Sequence, residues 1–485
     1  MRGARRIAPA IAAAGLALAA CTVGPDYERP DAAPPPAFKE LDGWKPAEPR
    51  EAASGSAWWA IYNDPALDSL MRQVEISNQT LKASEAAFRQ AVAIVAEARS
   101  GFYPTVSAAG SATRSSQPFS SSSTNRSSRG SGRIVQNSFD ASPSVSWIPD
   151  LWGRIRRTVE SDVANAQASA ADLAAARLSA QATLALDYFQ LRIDDEQKRV
   201  LDQTIAAYEQ SLQIARNQYA AGVAAQTDVI NAETQLENAR AQAINLGVDR
   251  AAQEHAIAVL MGKAPAALSI APTPLGSAVP VVPPGLPSAL LERRPDVAAS
   301  ERAMAAANAQ IGVAVSAYFP DLTLTGSVGF ASSELGNLFS LSNSAWSIGA
   351  QLAGTVFEGG LRSAQVAAAR AAYDESVANY RQTTLAALQQ VEDALASLRV
   401  LEQQAAVQAR ALAFAREAVQ LTLNQYQAGT VAYTNVVVAQ ATALGDEQTA
   451  LTILGSRLAA SVTLVEAAGG GWDRSQLPTL ADADR

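Results

Sequence analysis

Apolar positions along the chain follow two different periods. Residues 154–221 and 361–428 contain neither glycine nor proline, and both stretches are rich in alanine, glutamine, leucine, glutamate and arginine. Within the first, Leu184, Leu191, Ile205, Leu212 and Tyr219 recur by sevens, with Lys198 breaking the series. Within the second, Val391, Leu398, Ala405, Leu412, Val419 and Tyr426 do the same. A seven-residue repeat keeps one apolar stripe on a helix and drives left-handed coiling against its neighbours. The pattern predicts helices over about 154–220 and 360–427, each roughly 100 Å long at 1.5 Å rise per residue. Return helices are expected over about 225–261 and 434–467. A dimeric coiled-coil stalk would satisfy the same periodicity.

Other segments alternate with period two, as half-buried strands do. Leu322, Leu324, Gly326, Val328 and Phe330 alternate with Thr323, Thr325, Ser327 and Gly329, and Trp346, Ile348, Ala350, Leu352 and Val356 alternate with Ser347, Gly349, Gln351 and Thr355. Strands are expected over about 105–114, 138–149, 321–331 and 345–357, around polar loops at Ser115 to Ser138 and Ser332 to Ser344. An apolar outer face with a small-polar inner face suits a barrel between lipid and water. A soluble sandwich would alternate similarly. Four strands cannot close a membrane barrel, which needs at least about eight, and an open edge in hydrocarbon costs several kcal/mol per unpaired group. Identical chains must therefore pool their strands around an axis.

The two halves are related by duplication. Phe102-Tyr103-Pro104 recurs as Tyr318-Phe319-Pro320, Asn217-Gln218-Tyr219 as Asn424-Gln425-Tyr426, and Thr227-Asp228-Val229 as Thr434-Asn435-Val436. The chain divides into residues 65–262 and 288–468 as structural repeats, joined by a proline-rich crossover at 263–287 and followed by a tail at 469–485.

Composition narrows the function. One histidine, His255, and one cysteine, Cys21, argue against His/Cys metal centres and His-based acid–base chemistry, so no enzyme and no cofactor are expected. The formal charge is -8 and no basic run tracks a polyanion, which argues against nucleic acid. Arg2, Arg5 and Arg6 followed by an apolar run from Ile7 to Ala20 read as an export signal over residues 1–20. The sequence Leu18-Ala19-Ala20-Cys21 resembles a lipobox, which implies that Cys21 becomes an acylated N-terminus opening an equatorial segment at 21–64. After the signal, no stretch offers about twenty uninterrupted apolar residues.

Several motifs carry a family resemblance. Leu290-Leu291-Glu292-Arg293-Arg294-Pro295-Asp296-Val297, Tyr318-Phe319-Pro320-Asp321-Leu322-Thr323, Gly24-Pro25-Asp26-Tyr27, Asp150-Leu151-Trp152-Gly153 and Gly469-Gly470-Gly471-Trp472 closely resemble the TolC-like outer-membrane efflux factors, OprM-type lipoprotein branch. The resemblance implies a mixed α and β membrane protein: a trimeric 12-stranded outer-membrane β-barrel, four strands per chain, continued by a periplasmic 12-helix α-barrel with a mixed equatorial domain. It also implies a channel in a tripartite multidrug or small-molecule efflux pump, partnered by a periplasmic adaptor and an inner-membrane resistance-nodulation-division transporter. A type I protein secretion duct and a non-conducting envelope lipoprotein remain alternatives. Carried onto this chain, the periplasmic gate lies at hairpin turns Gly222 and Gly429, with Asp228 as its acidic position and Tyr426 as the hydrogen-bond partner of Asp228. Asn435 and Val438 stand where relatives often carry aspartates, and Gln425 and Val431 where relatives place arginine. A seal of Thr434, Asn435 and Val438 is expected instead of a charged iris.

Overall fold

A computed structural model describes residues 22–30, 35, 37–40, 57–118, 133–276, 279–280 and 290–478. Helices α1 (Pro65–Ser77) and α2 (Gln79–Ser100) lead into strands β1 (Thr105–Pro118) and β2 (Arg133–Trp147). Helices α3 (Arg154–Ala220) and α4 (Gln226–Leu260) complete the first repeat. In the second, α5 (Pro295–Ser316) precedes β3 (Asp321–Ser332) and β4 (Ser344–Ala353), followed by α6 (Leu361–Gln427) and α7 (Tyr433–Ala467). The long helices are 67 residues each and the return helices 35 each. Uninterrupted helix-forming composition explains their length, and Gly153 and Gly360, both left-handed, start them.

The four strands form one antiparallel sheet in the order β1-β2-β3-β4, leaving β1 and β4 as open edges. The register puts Trp346 opposite Val328, Ile348 opposite Gly326 and Leu352 opposite Leu322 on one face. Ser347 faces Ser327 on the other, with their hydroxyls 2.9 Å apart, as are those of Ser107 and Ser144. The strands depart from expectation at their ends. β1 and β2 run on to Pro118 and from Arg133, taking up part of the serine-rich segment; residues 119–132 of that loop lie outside the described residues. β4 stops at Ala353 instead of reaching 357, because its partner β3 begins at Asp321, opposite Ala353, and the residues before it turn away through Pro320, which has no N–H to offer. Pro143 interrupts the β2–β3 ladder between the Ala141–Phe330 and Ser144–Ser327 pairs, as a proline without an N–H must.

The helices pack side by side beyond the sheet. Near the sheet, α2, α3, α5 and α6 lie side by side; farther away the order is α4, α3, α7, α6. α7 is long and apolar enough to cross a membrane by composition, with mean hydropathy 1.3 in its most apolar window. Its apolarity has another use, since it packs against both α3 and α6.

A core of larger residues girdles the middle of these helices. Trp58 and Trp59 are buried there with Leu67, Met71, Leu184, Tyr188, Leu191, Leu458 and Val462. The Trp58 indole donates to Gln181 Oε1 at 2.9 Å and the Trp59 indole to Asp68 at 3.0 Å. The start of the crossover joins this belt: Arg192 donates to Ala271 O and Arg250 to Ile270 O, while residues 281–289 lie outside the described residues. The tail is bound through Arg474, 3.0 Å from the buried Glu301.

The segment following Cys21 is strapped along the helices nearest the sheet. Val23 N–H donates to Trp152 O, and Arg157 donates to Val23 O, Gly24 O and Asp26. Gly24 crosses Gly312 so closely that a side chain would stand 2.4 Å from the Gly312 Cα. Tyr27 donates to Glu301 Oε1 at 2.6 Å, and burial pushes that phenol above its usual range.

Candidate functional site: the hairpin tips

Both helical hairpins turn through a glycine followed by a return helix. Gly222 and Gly429 have φ of +74° and +73°, and nothing lies within 4 Å of where a side chain would begin. The glycines are there for backbone conformation alone. Five residues later in each case, Thr227 and Thr434 stand near the start of the return helix, placing Asp228 in the first turn of α4 and Asn435 in the first turn of α7.

The tips of the two hairpins share one apolar cluster. Tyr208, Leu212, Ala215, Leu236 and Val436 surround Tyr426 and Tyr433, whose rings meet edge-on with centroids 5.0 Å apart. Tyr426 is 3% exposed whereas its counterpart Tyr219 is 47% exposed. Burial, reinforced by the Asp228 carboxylate, pushes the Tyr426 phenol up to about 12. The structure thus brings Asp228 and Tyr426 together. The Tyr426 hydroxyl is buried beside the Asp228 carboxylate, close enough for the acid to act on it, but makes no hydrogen bond of ordinary geometry. Tyr426 is held by ring packing and by its backbone, because its carbonyl accepts from Gln218 Nε2 at 3.2 Å.

Amide side chains tie one hairpin to the other, and the sequence reading missed them. Gln440 Nε2 donates to Ser211 Oγ at 2.9 Å in a buried contact between α7 and α3, and Gln235 Nε2 reaches Val437 O at 3.5 Å between α4 and α7. Glutamine is abundant on these helices, so nothing in its spacing marks the few that bridge them.

Thr434, Asn435 and Val438 are exposed on α7, on one side of the helix by their three- and four-residue spacing. Val438 is 65% exposed. Thr434 and Val438 also line a groove of about 530 Å³ between α4 and α7, with Asn231, Asn238 and Gln448 along it and Tyr208 at its floor. The lining offers amides, hydroxyls and methyl groups and no charge, so it can contact polar and apolar molecules without holding either strongly. His255 is exposed on α4, away from this cluster, and no group of metal-ligating residues occurs among the described residues. Cys21 lies outside the described residues. Its neighbour Thr22 packs against Gly153, at the junction where the sheet ends and α3 begins.

Comparison with known proteins places this arrangement. The outer membrane efflux protein family signature matches residues 70–263 and 286–470. The toluene efflux pump outer membrane protein TtgC of Pseudomonas putida is 28% identical over 95% of each chain. The pyoverdine export outer membrane protein OpmQ of Pseudomonas aeruginosa is 31% identical over 87% of this chain and 89% of its own. Among solved structures, the outer-membrane channel OprN superposes with a TM-score of 0.85 at 29% identity, covering 93% of this chain and 100% of that one.

Proposed function

Because this chain belongs to the outer membrane efflux protein family, we propose that it is a passive exit duct from periplasm to exterior, gated at the tips of its two helical hairpins. It is the outer-membrane channel component of an efflux pump, with a long periplasmic helical extension. Its fold is that of trimeric channels, each chain giving four strands to the barrel and its helices to the tunnel. The observation that carries the duct reading is the sheet itself. Its apolar face is exposed, its other face is lined with hydroxyls, and both edges lack partners, so it is stable in a bilayer only as part of a closed ring.

A channel of this kind has no energy source within its own chain. The reading therefore includes a periplasmic adaptor engaging the hairpin tips and an inner-membrane transporter that supplies the driving force. Cargo would be drugs or other small molecules, which suits a wall of uncharged amides and hydroxyls.

Acylation of Cys21 is part of the proposal, supported by the place of Thr22. That residue sits at the sheet–helix junction, beside Trp152 stacked on Phe319, where an aromatic girdle belongs at a membrane surface. Acyl chains on the preceding cysteine would enter the bilayer at that level.

The seal would be the exposed triad Thr434, Asn435 and Val438, with the hairpins held by the Gln218–Tyr426 and Gln440–Ser211 hydrogen bonds and by Tyr426–Tyr433 packing. Purified protein in a planar bilayer tests both parts. The parent is expected to give small single-channel currents, and Gln218→Ala with Gln440→Ala to give larger ones. No current from either protein would overturn the duct, and equal currents would overturn the lock.

A further inference from the structure

The internal duplication supplies a template for a contact that one chain cannot make. α3 and α6 correspond at an offset of 207 residues, as do α4 and α7. Interhelical ion pairs obey the same offset: Asp195–Arg250 answers Glu402–Arg457, and Glu209–Arg240 answers Arg416–Glu447. In the lower layer the order α4, α3, α7, α6 puts the α3–α7 contact inside the chain and leaves the outer sides of α6 and α4 open. Under the offset, α6 and α4 are the counterparts of α3 and α7.

Burial shows what those open sides lack. On α3, Ile193 and Val200 are 2% and 3% exposed; their counterparts Val400 and Val407 on α6 are 52% and 57% exposed. Ile193 meets α7 at Gly455, where an added Cβ would stand 3.1 Å from the isoleucine Cγ1. The counterpart of Gly455 is Val248 on α4, 67% exposed. The pair has exchanged its bulk: isoleucine against glycine inside the chain, valine and valine at its two free sides. Phe414 and Leu421 continue the exposed α6 series at seven-residue steps.

The sheet follows the same logic. Thr105 pairs with Ser146, and Asp321 with Ala353, so β3 corresponds to β1 at an offset of 216 and β4 to β2 at 207. Applied to the β2–β3 ladder, these offsets set a register for the two open edges. The Val145–Gly326 pair becomes Leu352 opposite Gly110, large over small again, and the Asp140–Ala331 pair becomes Ser347 opposite Ser115. Apolar positions then stay on the apolar face and hydroxyls on the other.

We infer that the seam between adjacent copies of this chain repeats its internal seam: Val400 of one copy packs on Val248 of the next, and β4 pairs with the next β1 so that Ser347 faces Ser115. The inference rests on the proposed trimeric channel and deepens it to a register. The occupant of the open faces is a second copy because both its faces and their spacing already exist, joined, within the chain.

Cysteine cross-linking of full-length protein in isolated outer membranes tests the register. Val400→Cys with Val248→Cys, and separately Ser347→Cys with Ser115→Cys, should convert the monomer band of a denaturing, non-reducing gel into dimers and trimers on mild oxidation, because facing Cα atoms at such positions lie within disulfide reach. The parent, which keeps Cys21, and Leu421→Cys with Val248→Cys, about six turns away from Val400 on α6, should stay monomeric. Trimers that form and conduct while neither designed pair links would overturn the seam and leave the channel intact. Linking by the displaced pair instead would overturn the register. The strand pair changes only serines, so it reports even if the helix pair fails to assemble.

Discussion

Tyr426 shows how a side chain can be placed by its ring and not by its hydroxyl. The ring is enclosed by Tyr433, Leu212 and Val436, while the hydroxyl is buried next to the Asp228 carboxylate, short of ordinary hydrogen-bond geometry. Removing a buried hydroxyl that makes no well-formed hydrogen bond changes stability by no more than about 1 kcal/mol. Tyr426→Phe should therefore melt close to the parent temperature, and a clear loss in thermal denaturation would show that the Asp228 contact closes into a full hydrogen bond. Asp194 presents the opposite case, a carboxyl whose burial favours its protonated form. It is 3% exposed, one oxygen has no partner, and burial, with Asp249 and Asp195 nearby, raises its pKa. The folded chain then holds the Asp194 proton more tightly than the unfolded chain does. Its contribution to stability is full below the ordinary aspartate range and is lost as pH rises through the raised folded value. Asp194→Asn should consequently gain on the parent as pH rises from acid towards neutral, and a melting difference independent of pH would contradict this.

Helical hairpins hold together through a few repeated contacts along otherwise permissive surfaces. The Glu209–Arg240 pair in the first hairpin and Arg416–Glu447 in the second occupy equivalent places with opposite polarity. The geometry therefore accepts either sign, provided that the two partners differ. Arg240→Glu alone places acids together and should lower the melting temperature, whereas adding Glu209→Arg should restore most of it, short of the Arg240–Glu237 pair that the double variant also loses; no recovery at all would contradict the exchange. Much at this scale was legible beforehand. Glycine and proline punctuation marked both long helices, and their seven-residue stripes include the buried Leu184, Leu191, Val391 and Leu398. The second stripe on α6, Val400, Val407, Phe414 and Leu421, was not recognised, because alanine-rich helices carry apolar residues on several sides and a pattern of period seven does not say how many neighbours a helix has.

For the whole molecule, the sheet's two faces make unequal demands. Ile348 is 82% exposed on the apolar face and Ser347 is exposed on the other. A lysine facing lipid costs about 2–4 kcal/mol near the bilayer midplane, whereas one facing water costs little. Ile348→Lys should reduce heat-modifiable trimer in outer-membrane fractions, and Ser347→Lys should leave its amount near the parent level while changing conductance. Equal loss from both would argue against the assignment of faces.

Sequence alone determined the duplication, the helices, the alternation of the strands and the glycine turns, since each depends on local backbone preference or on a short period. It also brought Asp228 and Tyr426 into consideration through resemblance. Tertiary structure decided that the two meet without a hydrogen bond of ordinary geometry, that Gln218 and Gln440 bridge the hairpins, and that Tyr426 is buried while its repeat partner Tyr219 is not. These outcomes depend on which helix lies beside which. Two nearly identical segments acquire different surroundings because Tyr426 lies where the two hairpins meet, against Tyr433, and Tyr219 does not.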